Sequence, residues 1–142
     1  MILQRISLTG VGALGAMMKT VLIIDDEDMM VRVLKRQLAN DYEVSTARSK
    51  SEALEYCRDT RPDCVLVDWF LPDVQGPELI GALRQVYPDV PIVAMSGQSE
   101  IVQWASEQGV QGVLEKPFDR PRLIEALRAA LSTSTPREPP HL

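Results

Sequence analysis

Val21-Leu22-Ile23-Ile24-Asp25-Asp26-Glu27-Asp28 passes abruptly from four apolar residues to four acids. An unbroken apolar run rich in β-branched residues reads as a strand buried on both faces, as strands of a parallel sheet are. The acids then stand at the carboxyl end of that strand, where open parallel sheets bind their ligands. Downstream, Met30, Val33, Leu34 and Leu38 recur at helical spacing, and Tyr42 to Ala47 reads as a second strand. That strand is more polar, which places it near a sheet edge. Ser49-Lys50-Ser51-Glu52 is a capping-box pattern opening a helix through Ala53, Leu54 and Cys57. Asp63-Cys64-Val65-Leu66-Val67 is a third strand, and Gly76-Pro77 starts a helix carrying Leu79, Ile80 and Leu83.

Val90 to Met95 is a fourth strand, and Ser99 to Gln108 is a short helix closed by Gly109. Val113-Leu114-Glu115 is the fifth strand. Asp119 caps a last helix, with Pro121 in its first turn and Leu123, Ile124, Leu127 and Leu131 as its buried stripe. Strands alternating with helices predict an α/β fold, a (βα)5 doubly wound parallel five-stranded sheet over residues 19–131.

The 142 residues suit one compact domain, and 45% hydrophobic with 25% charged residues is a soluble balance. Fifteen Lys and Arg against 20 Asp and Glu give a net charge of -5. The basic residues are scattered singly, which argues against a nucleic-acid surface. Cys57 and Cys64 form no CxxC pair, and the one His, His141, lies in the tail, so the cysteines read as structural thiols in a reducing compartment. The stretch from Ile2 to Met18 resembles a short signal peptide, with Arg5 and Ala13-Leu14-Gly15-Ala16, but Gly10, Gly12 and Gly15 break it and it is too short to span a bilayer. Residues 1–18 are expected to be a disordered extension, or to precede a true start at Met17 or Met18. The Ser-, Thr- and Pro-containing tail, 132–142, is expected to be disordered.

The polar residues just after the strands carry the chemistry. They are Asp25 and Asp26, then Asp68, then Ser96-Gly97, then Lys116-Pro117. Strand ends meeting at one edge gather carboxylates, a hydroxyl and an ammonium. Carboxylates about 5 Å apart repel by roughly 3 kcal/mol per pair at an effective dielectric near 20, and a cation relieves this. Hard oxygen ligands suit Mg2+. A carboxylate beside Mg2+ is able to attack phosphorus and form an aspartyl phosphate, with Lys116 and Ser96 balancing charge on the transferred oxygens. Plainer readings stand beside this one. Asp25 and Asp26 decorate a helix N-terminus, Asp68 opens a turn before Leu71-Pro72-Asp73, Lys116 is solvated, and Ser96-Gly97 is an ordinary turn.

Val21-Leu22-Ile23-Ile24-Asp25-Asp26-Glu27, Val65-Leu66-Val67-Asp68-Trp69-Phe70-Leu71-Pro72, Met95-Ser96-Gly97 and Glu115-Lys116-Pro117-Phe118 resemble the receiver domains of bacterial two-component response regulators, of the single-domain chemotaxis-regulator kind. The resemblance covers about Lys19 to Leu131 and implies a flavodoxin-like receiver fold. It implies Asp68 as phosphoacceptor, Mg2+ as cofactor, direct ligation by Asp26 and Asp68, Asp25 acting largely through water, and the Phe70 backbone carbonyl as a ligand. Ser96 would hold the phosphoryl group and move, Lys116 would bind its oxygens, and the Lys116–Pro117 bond would be cis. The chain departs from the family pattern at Val113, where an aromatic is usual, and between Ser96 and Gly109, which is short. Output is therefore expected from Ser96, Gly97, Gln98 and the fourth helix, with Trp104 as a partner contact. Trp69 is expected near the site mouth.

The implied partners are a histidine kinase or histidine phosphotransfer protein and an unidentified downstream protein target, with no nucleic acid and no membrane. A cytoplasmic monomer or weak dimer is expected, not an enzyme beyond its own phosphorylation and dephosphorylation. A phosphorelay shuttle and a phosphorylation-independent interaction module are the alternatives. A haloacid-dehalogenase-type phosphatase is remote, because Asp26-Glu27-Asp28 runs into Met29-Met30 and the chain is too short for a cap domain.

Overall fold

The computed structural model describes residues 18–133, so the expectations for residues 1–17 and 134–142 lie outside the described residues. The order is β1 (Thr20–Ile24), α1 (Asp28–Leu38), β2 (Glu43–Ala47), α2 (Lys50–Asp59), β3 (Cys64–Asp68), α3 (Gly76–Val86), β4 (Ile92–Ser96), α4 (Ser99–Glu107), β5 (Gly112–Glu115) and α5 (Arg120–Thr133). All neighbouring strands pair in parallel, in the order β2-β1-β3-β4-β5. The chain leaves β1 for β2 on one side and then returns to β3 on the other, so the topological switch lies between β1 and β3. The polar β2 occupies an edge, as its composition predicts.

Two-residue alternation along the strands divides the core. Leu22, Ile24, Val65, Val67, Ile92 and Ala94 face α2, α3 and α4, where Ala53, Cys57, Leu79, Leu83 and Ala105 meet them. Val21, Ile23, Leu66, Val93 and Met95 face α1 and α5, against Leu34, Leu38, Leu123 and Leu127. Burying such a Leu contributes about 1.5–3 kcal/mol, so the two clusters hold the sheet between its helical layers.

Local signals fix the helix ends. Ser49 Oγ accepts the Glu52 N–H at 3.2 Å, and Glu52 Oε1 accepts the Arg48 N–H at 2.8 Å, one residue earlier than in the ideal reciprocal box. Asp119 Oδ1 caps α5 by accepting the Arg122 N–H at 3.0 Å. Gly109, at φ 83, takes the left-handed conformation that ends α4. From α3, Arg84 donates to the carbonyls of Val90 (2.8 Å), Pro88 (3.2 Å) and Gly109 (3.0 Å). At nine residues α4 is the shortest helix among the described residues, within the stretch read as short. Ser132 and Thr133, assigned to the tail from sequence, instead finish α5.

Candidate functional site

Asp25 leaves β1 with its N–H donating to the Ala47 carbonyl of β2 at 3.1 Å. Its Oδ1 accepts the Glu27 N–H at 2.9 Å, a local turn that leads the chain into α1. Asp68 is the last residue of β3, across the switch. Carboxylate oxygens of Asp25, Asp26 and Asp68 lie within 4.8 Å of one another. Lys116 Nζ stands 3.7 Å from Asp68 Oδ1, which also accepts the Phe70 N–H at 3.2 Å. Ser96 closes β4, and its carbonyl accepts the Lys116 N–H at 2.8 Å, which stitches the last two strand ends together. The Lys116–Pro117 bond is cis, as the resemblance implied.

Burial of like charges shapes the electrostatics. The Asp25 carboxyl is pushed up to about 6, chiefly by burial; the Glu27 N–H and Lys116 oppose the shift, while Asp68 and Asp26 add to it. Asp68 is also raised, first by burial and less by Asp26, against the pull of Lys116 and the Phe70 N–H. Asp25 Oδ2 is buried without a hydrogen-bond partner. An unsatisfied buried carboxylate oxygen beside two more carboxylates is costly, and a hard divalent cation such as Mg2+ fits that donor set.

The sequence-selected residues fall as follows. Asp25, Asp26, Asp68 and Lys116 converge. Ser96 is buried at the adjoining strand end, its Oγ accepting the Gln98 N–H at 3.1 Å. Phe70 is exposed and bridges Gln75, Gly97 is exposed, and Val113 packs partly buried against the α2–α3–α4 core. Trp104 on α4 is 40% exposed. Asp28, the second acid that a dehalogenase-type phosphatase needs, pairs instead with Arg48 on the surface.

Trp69 corrects the reading. It was expected at the site mouth and is 2% exposed. Strand alternation explains this: Trp69 continues the parity of Val65 and Val67 and enters their core cluster, opposite to Asp68. Its indole lies where a Cβ on Gly76 would overlap it, so glycine at the start of α3 makes its room. The ring meets Trp104 edge-on, centroids 5.8 Å apart at 78°. The parity of Trp69 is legible in the sequence, whereas its contact with Trp104 is not. Beside Lys116, an apolar groove of about 380 Å3 runs along Met30, Val33 and Leu34 of α1 to Pro117 and Phe118.

The family described as the response regulator receiver domain matches residues 21–128, and the chain belongs to it: this is a receiver domain of a two-component response regulator. Relatives include the DNA-binding transcriptional regulator NtrC of Azospirillum brasilense, 32% identical over 120 residues, 82% of this chain and 25% of that protein. The transcriptional regulatory protein KdpE of Mycobacterium tuberculosis is 35% identical over 121 residues, 83% of this chain and 53% of that one. The chain thus spans a quarter to about half the length of the curated relatives it matches. Among solved structures, the chemotaxis response regulator CheY4 of Vibrio cholerae is 30% identical with a TM-score of 0.73, over 80% of this chain and 99% of that one. The receiver domain of NtrX from Brucella abortus is 30% identical with a TM-score of 0.75, over 80% and 99%. No helix among the described residues is long and apolar enough to cross a membrane.

Proposed function

We propose that the domain accepts a phosphoryl group on Asp68 from a phosphohistidine of a histidine kinase or histidine phosphotransfer protein, and passes the change to a partner protein. One observation carries this reading: three strand-end carboxylates within 4.8 Å of one another, with the Lys116 ammonium 3.7 Å from Asp68. Asp26, Asp68 and the Phe70 carbonyl would hold Mg2+, with Asp25 acting through water. The ion supplies the positive charge that lets a carboxylate cluster and an incoming phosphoryl group share one pocket.

This chain's own groups do the rest. The Phe70 N–H and Lys116 fix the orientation of the Asp68 carboxylate. One carboxylate oxygen attacks phosphorus, the new P–O bond forms, and the P–N bond to the donor imidazole breaks. The imidazole keeps the electron pair and takes up a proton. Lys116 then pairs with the phosphoryl oxygens, and Ser96, at the end of the neighbouring strand, would donate its hydroxyl to them. The groove along α1 offers a donor protein apolar surface next to Lys116. The Ser96-Gly97-Gln98 loop and α4 carry the output. Acetyl phosphate with Mg2+ should place one phosphoryl group on each chain, read by mass spectrometry, and Asp68→Asn should lose it. Full labelling of that variant would overturn the assignment.

A further inference from the structure

The indole of Trp69 is trapped in the core, yet its backbone belongs to the site. Its N–H donates to the Met95 carbonyl at 2.9 Å, next to Ser96, and its ring is wedged over Gly76 at the start of α3. Trp104 leans on that ring edge-on from α4. The rest of α4 is lightly held, since Ala105 is its one buried residue. Its first turn is tied to the site by Ser96 Oγ, which accepts the Gln98 N–H, and the Gln98 carbonyl in turn accepts the N–H groups of Ile101 and Val102.

We infer that Trp104 is a positioning residue: its edge contact with Trp69 latches α4 in the unphosphorylated arrangement and thereby sets how readily the Asp68 site takes a phosphoryl group. This rests on the reading of Asp68 as phosphoacceptor. On the reading of Ser96 as the hydroxyl that holds the phosphoryl group, its Oγ is drawn toward Asp68. If the Gln98 N–H follows, it draws the first turn of α4 with it. The helix then turns about its exit, where Arg84 holds the Gly109 carbonyl, and Trp104, midway along it, must slide on a ring that cannot yield. The contact therefore opposes phosphorylation, and by linkage its removal favours it.

Beryllofluoride with Mg2+ serves as the phosphoryl probe, with its affinity and the two indole N–H resonances read by NMR. An aromatic pair of this kind predicts a roughly two- to tenfold gain in beryllofluoride affinity for Trp104→Ala. Trp104→Phe, which keeps an aromatic edge, should return to the wild-type value. In the wild type both indole resonances should shift on binding, and the Trp69 resonance should move less in Trp104→Ala. Unchanged or weaker affinity in Trp104→Ala, with folding verified by its melting curve, overturns the latch while leaving the phosphoacceptor reading intact. Absence of any beryllofluoride binding to the wild type overturns both.

Discussion

Helices α3 and α4 follow adjacent strands on the same face of the sheet and are held very differently. Gly76, Leu79, Ile80 and Leu83 of α3 are buried, whereas α4 buries Ala105 alone and relies on the half-covered Ile101 and Trp104 for the rest of its grip. The same contrast runs through the strand ends. Asp25 directly follows, and Asp68 ends, a strand buried along its whole length, which fixes the positions of both carboxylates. The loop leaving Ser96 is exposed from Gly97 to Glu100. The two kinds of element differ in local stability, and on the proposed function the firm one would hold the reacting groups and the loose one would report on them.

The largest effect should come from the firmly held side. Leu79→Ala, at a fully buried position of α3, should cost about 2–5 kcal/mol in urea denaturation, whereas Ile101→Ala on α4 should cost on the order of 1 kcal/mol. Equal losses would erase the contrast.

Next comes the acidic pocket. In the unfolded chain the Asp25 carboxyl titrates near 3.8, and in the folded one near 6. Between those values the folded state keeps a proton that the unfolded state has lost, so raising pH favours unfolding. In chelator, stability should fall as pH rises from about 4 to 6, by on the order of 2 kcal/mol, with Asp68 acting in the same direction. Adding Mg2+ at neutral pH should raise the melting temperature, and Asp25→Asn should flatten the pH slope. A melting temperature that climbs steadily through this range would contradict the burial-raised carboxyl.

The smallest effect concerns the loop. Ser96→Ala removes a single side-chain acceptor from the Gln98 N–H and should cost about 1 kcal/mol or less, yet speed amide exchange in the first turn of α4 and not in α3. Faster exchange spread evenly over both helices would mean that Ser96 stabilises the whole domain and not this loop.

Most of the fold was legible because period and punctuation agreed. The run from Val21 to Ile24, the cap at Ser49 and the stop at Gly109 each lie where the sequence places them. The acids and Lys116 were legible because parallel topology forces strand ends to one edge. Trp69 was misplaced because adjacency in sequence was read as adjacency in space, although in a strand consecutive side chains point to opposite faces. The Trp69–Trp104 contact was out of reach, since it depends on where α4 settles over β4 and β5 relative to the end of β3, a position no local pattern encodes. The end of α5 was set two residues early, where Ser and Thr begin, because weak helix formers still continue a helix already anchored by packing.

Arg84 gives α4 a mechanical asymmetry. The guanidinium fastens the Gly109 carbonyl, just past the exit of α4, to the well-anchored α3, while the entry of α4 hangs on Gln98. A rod some 13 Å long, pinned at its far end, turns when pushed at its near end and does not translate. Displacement fed in beside Ser96 would fade along the helix toward Gly109, so a binding protein that touches its first turn would sense the full stroke and one resting near Glu107 almost none.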